Sequence, residues 1–171
     1  MLIVSPGCCG RNTSVLSSMR AYQDRFYYLL MDETDIVTGR HLKKIPKAVA
    51  EICEGLKKKP SVVMICITCV DALLGTDMER VCHKAEEYAG VPVRPCYMYA
   101  LTREGRKPPM VHVRQSVYSL LEPKKKKGNV VNLLGYFSPL TDDCELYDLL
   151  HGAGVKTIHE ISRCKDYAQY Q

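Results

Sequence analysis

Cys66 and Cys69 stand two residues apart, at the point where an apolar run gives way to an amphipathic one. Val62 to Ile67 is β-branched and apolar throughout, which suits a strand covered on both faces of a parallel sheet. From Leu74 the period changes. Met78, Val81, Ala85 and Tyr88 follow at helical spacing, and Asp77, Glu79, Arg80, Lys84 and Glu87 are left for water. A strand feeding straight into a helix puts Cys69 beside a helix N-terminus, where free N–H groups favour a thiolate. Thiols in that setting suit cluster ligation, thiol–disulfide exchange by Cys66 and Cys69, or half of a zinc site. Exchange would need Cys66 accessible, yet it falls inside the apolar run. Zinc would need a second paired knuckle, which the adjacent Cys8 and Cys9 do not have the spacing to form.

The start of the chain repeats this construction. Leu2 to Ser5 reads as a strand and Pro6-Gly7-Cys8-Cys9-Gly10 as a tight turn. Asn12, Thr13 or Ser14 then caps a helix carrying Val15, Leu16, Met19 and Tyr22. In an open parallel sheet the loops after the strands gather on one edge, where ligands bind. Two cysteine-bearing turns are therefore expected to face each other, which makes Cys8, Cys9, Cys66 and Cys69 the candidate metal ligands. The other five of the nine cysteines, Cys53, Cys82, Cys96, Cys144 and Cys164, read as small buried hydrophobes. An odd count with no export signal argues against a secreted disulfide framework.

The elements around these turns alternate. Phe26 to Met31 reads as a second strand and Asp32 to Asp35 as an acidic turn. The helix after Gly39 carries Leu42, Ile45, Val49, Ile52 and Leu56, and it tolerates Pro46 only in its first turn. Gly90 reads as a C-cap, and Val91 to Tyr97 is a strand that Pro92 and Pro95 place at an edge or bend. Leu101 to Lys107 is a basic loop, and Pro108-Pro109 opens a helix with Met110, Val113, Val117 and Leu120 inward. Beyond Glu122 to Asn129, Val130 to Leu134, a helix from Asp142 and Val155 to Ile158 form a further β-α-β unit. The expected fold is α/β and Rossmann-like, mostly parallel with helices on both faces, plus this short second unit. The expected domains are residues 1–123 and residues 124–171.

Composition excludes several classes. Apolar content of 46% and charged content of 25% over 171 residues describe an ordinary globule. No run approaches the ~20 apolar residues of a bilayer helix, and no signal peptide opens the chain, so no membrane contact and a cytoplasmic location are expected. The net charge of +5 comes mostly from Lys57 to Lys59 and Lys124 to Lys127. No nucleic-acid motif accompanies these runs, and they read as solvated surface. The five histidines lack the i, i+4 spacing of a metal helix, and no P-loop or GxGxxG is present.

These motifs resemble a known family. Cys66-Ile67-Thr68-Cys69 followed by Leu73-Leu74-Gly75-Thr76-Asp77-Met78 is similar to the "TC…(I/L)IG(D/T)D(I/M)…V" segment of nitrogenase component 1 subunits, and Pro6 to Gly10 resembles their "GPxGCG" turn. Asp35 to Gly39 is like "DIVFGG", and Val130 to Tyr136 is like "VNIIGDY". Val91 to Arg94 agrees as well. The resemblance spans nearly all of this chain but only the first part of a family subunit, which implies a truncated chain or a reduced, split member.

The resemblance implies an iron–sulfur cluster at the interface of paired subunits, either 4Fe–4S or P-cluster-like. Cys9 and Cys69 match its ligands. Cys8 falls where the family often has glycine, and Cys66 has no counterpart. It also implies an electron-receiving role in a reductase, with an ATP-hydrolysing iron protein as donor and a homo- or hetero-oligomer of like subunits. Two thiolates per chain in a twofold dimer would supply the usual four. Alternatively, all four candidates could hold a cluster within one chain. A non-catalytic interaction or assembly module of the same fold, lacking a complete cluster, is the other class of function the chain suits.

Overall fold

The structure, a computed structural model, describes residues 1–5, 7–19, 23–97, 108–125 and 128–171, with only the backbone of Cys8, Asn12 and Pro109. Several expectations therefore lie outside the described residues: Pro6 in the first turn, Tyr22 on the first helix, the loop Leu101 to Lys107, Lys126 and Lys127. Two compact units are present, residues 1–120 and 121–171.

The first unit holds four parallel strands, β1 (Leu2–Ser5), β2 (Tyr27–Leu30), β3 (Val63–Ile67) and β4 (Val93–Tyr97), in the order β2-β1-β3-β4. The helices are α1 (Gly7–Met19), α2 (Glu33–Val37), α3 (Arg40–Gly55), α4 (Cys69–Leu73), α5 (Met78–Ala89) and α6 (Pro109–Tyr118). The α/β, mostly parallel, doubly covered architecture read from the sequence is the architecture observed. One sheet face buries Leu2, Val4, Val63, Ile65, Ile67 and Val93 against Ile45, Val49 and Cys53 of α3 and Met78, Cys82, Ala85 and Ala89 of α5. Each such aliphatic side chain, taken fully from water, contributes about 2 kcal/mol. The opposite face is smaller. Ile3, Cys66 and Cys96 are its buried residues, with Met1, Phe26, Met64 and Val113 packed around them.

Three local readings differ. The helix at the start begins at Gly7, so Cys8, Cys9 and Gly10 form its first turn rather than a turn before it. Its apolar residues face outward: Gly10 and Ser17 are buried, whereas Val15, Leu16 and Met19 are 57%, 60% and 77% exposed. The reason is close approach. A Cβ on Gly10 would lie 3.2 Å from Ser5 Oγ and 3.5 Å from the Tyr28 ring, so only the small-residue side of α1 fits against β1 and β2. Pro46, expected only in a first turn, lies inside α3 and is buried; it forgoes one helical hydrogen bond in exchange for core contact. Finally, the acidic turn Asp32 to Asp35 is the start of α2, capped by Asp32 Oδ1, which accepts the Asp35 N–H at 2.7 Å.

Two sequence-level signals held. Gly90 ends α5 in the left-handed region at φ 62°, its N–H donating to the Glu86 carbonyl at 2.8 Å. β4 is an edge strand, as its prolines imply. Its outer margin is partly occupied near Val93. The Val93 N–H donates to the Glu86 carboxylate at 3.4 Å, the Val93 carbonyl accepts from Arg94 Nη1 at 2.8 Å, and Pro95 has no N–H to offer.

The second unit is a β-α-β motif, as expected: β5 (Val130–Leu133), α7 (Glu145–Gly152) and β6 (Thr157–Glu160), with β5 parallel to β6 and a last short helix, α8 (Tyr167–Tyr170). Its centre is a carboxylate. Glu160 accepts from the Leu140 N–H at 2.8 Å, Tyr147 Oη at 2.7 Å and Arg163 Nε at 2.9 Å, and Arg163 also bridges to Asp142 at 2.7 Å. Burial alone would raise the Glu160 carboxyl. The bonds from Ser162, Tyr147, the Leu140 amide and Arg163 more than offset it and hold the pKa at about 2. A carboxyl lowered on folding stabilises above its unfolded value of 4.5 and loses that contribution as pH falls toward about 2. Glu160→Gln is therefore expected to flatten the acid limb of thermal melts between those values. Native-like acid sensitivity in that variant would refute the assignment.

Candidate functional site

β1 and β3 are adjacent and parallel, with Leu2 opposite Ile65, Ile3 opposite Cys66 and Val4 opposite Ile67. Continued one step, this register sets Ser5 beside Thr68. Each strand then turns directly into a helix, so Cys9, in the first turn of α1, and Cys69, the first residue of α4, rise from the same edge of neighbouring strands. Both are partly buried. At the ends of the two strands, the Ser5 Oγ and Thr68 Oγ1 hydroxyls are buried with no hydrogen-bond partner among the described residues.

Exposed apolar side chains follow each cysteine along its helix. Leu73, one helical turn beyond Cys69 on the same side of α4, is 71% exposed, and Leu74 is 52% exposed. Leu16, two turns beyond Cys9 on α1, is 60% exposed, with Val15 and Met19 alongside. Exposed apolar residues gathered around half-buried thiols form a surface of the kind another polypeptide covers.

Of the remaining candidates, the side chain of Cys8 lies outside the described residues. Cys66 is 4% exposed within β3. Its neighbour is Cys96, directly across the ladder on β4, and both turn to the smaller sheet face. The hydrogen bond to Cys96 pushes the Cys66 thiol well up, as does burial, with Cys9 adding a smaller push. Among the described residues no three or more His, Cys, Asp or Glu side chains converge as a metal-binding group. Cys9 and Cys69 fit half of a cluster's usual thiolate set, with the soft donor chemistry that iron–sulfur centres take.

A second constellation was not read from the sequence. His41, on α3, is 1% exposed. Its Nδ1–H donates to the Asp35 carbonyl at 3.0 Å, and Nε2 lies 3.2 Å from Asp71 Oδ1. A carbonyl only accepts, so Nδ1 carries a proton and a second proton lies between Nε2 and Asp71. Burial raises the Asp71 carboxyl, and His41, then Thr76, oppose that rise. Oδ2 has no partner in bonding geometry. Asp35 in turn takes Lys44 Nζ at 2.6 Å, and that bond lowers its carboxyl. The Asp-Ile-Val-Thr-Gly segment thus anchors α3 to α4, two residues beyond Cys69. The signal was present in the sequence: His41 precedes Ile45, Val49 and Cys53 at four-residue intervals on the stripe that α3 buries.

Of the other cysteines read as core, Cys53 and Cys82 are buried against the larger face, whereas Cys144 and Cys164 are partly exposed. None of Cys53, Cys66, Cys69, Cys82, Cys96, Cys144 or Cys164 is in a disulfide. No helix among the described residues is long and apolar enough to cross a membrane.

The chain is similar to the nitrogenase iron-molybdenum cofactor biosynthesis protein NifE of Rhizobium meliloti (strain 1021), 32% identical over 127 residues that make up 72% of this chain and 26% of that protein. NifE of Rhodobacter capsulatus aligns over 98% of this chain at 28% identity and over 36% of its own length. The nitrogenase molybdenum-iron protein alpha chain of Methanosarcina barkeri is 42% identical over 65 residues, 38% of this chain and 12% of that one. The chain thus spans about a quarter to a third of the length of the NifE relatives it matches. The sequence profile described as nitrogenase component 1 type oxidoreductase matches residues 1–169, nearly the whole chain, and the chain belongs to that family.

Proposed function

We propose that this chain is a nitrogenase component 1-like subunit that supplies Cys9 and Cys69 as half of the ligand set of an iron–sulfur cluster. It meets a like subunit, a second copy or a related chain, across the edge that carries them. In this reading it is the electron-receiving part of a two-component cytoplasmic reductase whose donor is an ATP-hydrolysing iron protein. The carrying observation is the apolar rim, Leu16 beyond Cys9 and Leu73 beyond Cys69, both more than half exposed. When bound, an iron–sulfur cluster supplies one-electron storage and transfer. The chain's own residues place the thiolates, and the leucines exclude water from them once a second subunit covers the rim.

The test is anaerobic reconstitution with iron and sulfide, followed by elemental analysis and sedimentation. The expected result is iron and sulfide in equal amounts, about four of each per pair of chains. Leu16→Glu is expected to give a folded monomer that has lost most of its iron. A native chain that takes up neither iron nor sulfide and shows no visible charge-transfer absorption would end this reading.

One observation favours a second reading, a non-catalytic assembly module on the same fold. Its NifE relatives carry the name of a cofactor biosynthesis protein. In that case the rim joins subunits without a cluster, and oligomerisation persists in iron-free protein.

A further inference from the structure

We propose that Cys66 and Cys96 form a reversible disulfide between β3 and β4, a redox-modification site separate from Cys9 and Cys69. The proposal stands whether or not those two hold a cluster. It rests first on register. Cys66 and Cys96 are direct partners in the β3–β4 ladder, so both side chains leave the sheet on one face. Neighbouring parallel strands run about 4.8 Å apart, which lies within the Cα separations that disulfides span.

The surroundings are the second support. The two residues form a small buried cluster with Ile3, each 4% exposed, and Met1, Phe26, Met64 and Val113 pack against it. Inside it the two thiols act on each other, Cys96 raising the Cys66 thiol and Cys66 lowering the Cys96 thiol. No other buried cysteine is placed this way. Cys53 lies on α3 and Cys82 on α5, and neither has a strand partner.

Geometry also indicates reversibility. Side chains of ladder partners leave parallel strands side by side, so their Cβ atoms sit near the strand spacing, wider than the ~3.8 Å of a relaxed disulfide. Closing the bond draws β3 and β4 together, and a bond formed under that tension returns readily to dithiol when a reductant is present. In the forward step each thiol loses its hydrogen and one S–S bond forms. The two electrons and two protons pass to a peroxide, which leaves as two waters. Hydrogen peroxide is small enough to enter a site closed to larger oxidants.

The test treats the full chain with hydrogen peroxide, then denatures, alkylates and maps it by mass spectrometry. The expected result is that Cys66 and Cys96 lose alkylation together and appear as one linked peptide pair lighter by two hydrogens. Dithiothreitol restores both, while Cys53 and Cys82 stay alkylated throughout. In Cys96→Ser, loss of Cys66 alkylation is expected to slow about tenfold. Three results would overturn the proposal: Cys66 and Cys96 still alkylatable when Cys9 or Cys69 is already oxidised, Cys66 linked to Cys9 or Cys69 instead, or Cys96→Ser losing Cys66 as fast as the native chain.

Discussion

Cys69→Ala is expected to give a folded protein whose iron and sulfide, after anaerobic reconstitution, fall to background. Cys69 opens a five-residue helix and is partly exposed, so its removal leaves no large cavity and costs little stability, under about 1 kcal/mol. The loss of iron would be far larger than that suggests. In a twofold pair the substitution removes one thiolate from each chain, leaving two of the usual four. Cys9→Ala is expected to behave alike, and Cys66→Ala is expected to retain iron because its side chain is turned into the small core. Elemental analysis together with far-ultraviolet circular dichroism separates these outcomes. Full iron in Cys69→Ala would remove Cys69 from the site, whatever the fold does.

His41→Ala is expected to lower stability by about 3 kcal/mol, the largest effect of any single polar substitution in the first unit. The histidine and Asp71 have side chains 1% and 0% exposed, and the histidine is the only described hydrogen-bond partner of the Asp71 carboxylate in bonding geometry. Alanine leaves that carboxylate buried with neither charge nor donor opposite it. The pH dependence has a definite sign. Burial raises the Asp71 carboxyl above its ordinary value of 3.8, so the folded chain binds this proton more tightly than the unfolded chain does. Stability from this group is then greatest in acid and falls as pH rises through the folded value. His41→Ala should therefore be most damaging near neutrality and milder in acid, where a protonated Asp71 needs no counter-charge. Asp71→Asn in the same background is expected to restore part of the loss, since a neutral amide is cheaper to bury unpaired than a carboxylate. Denaturant titrations at two pH values measure both effects. Equal losses at both would show that the histidine acts only by filling space.

Much of this molecule was legible in the residues, for identifiable reasons. The β-branched apolar run Val62 to Ile67 suits a buried strand and holds β3, and Gly90 falls where α5 turns left-handed. Strand-to-helix junctions at Ser5 and Thr68 bring both cysteine segments to one edge because parallel strands carry their exits together. Periodicity misled at α1. It showed that Val15, Leu16 and Met19 share a side but not that the side faces outward, because the small residues opposite were the ones the sheet required. Cys96 looked like any buried cysteine, since pairing with Cys66 depends on register, which no single strand encodes. Asp71 escaped notice because its partner lies thirty positions away.

The partly occupied margin of β4 disfavours one way in which copies of this chain can associate. With the Val93 main chain occupied and Pro95 lacking a donor, a ladder continued from molecule to molecule on that flank would lose three of its main-chain bonding groups. Self-association there would lean more on side chains than on main-chain pairing. Such contacts favour closed pairs over open-ended fibres, so crowded or partly damaged protein should form discrete assemblies in preference to growing cross-β stacks through this side.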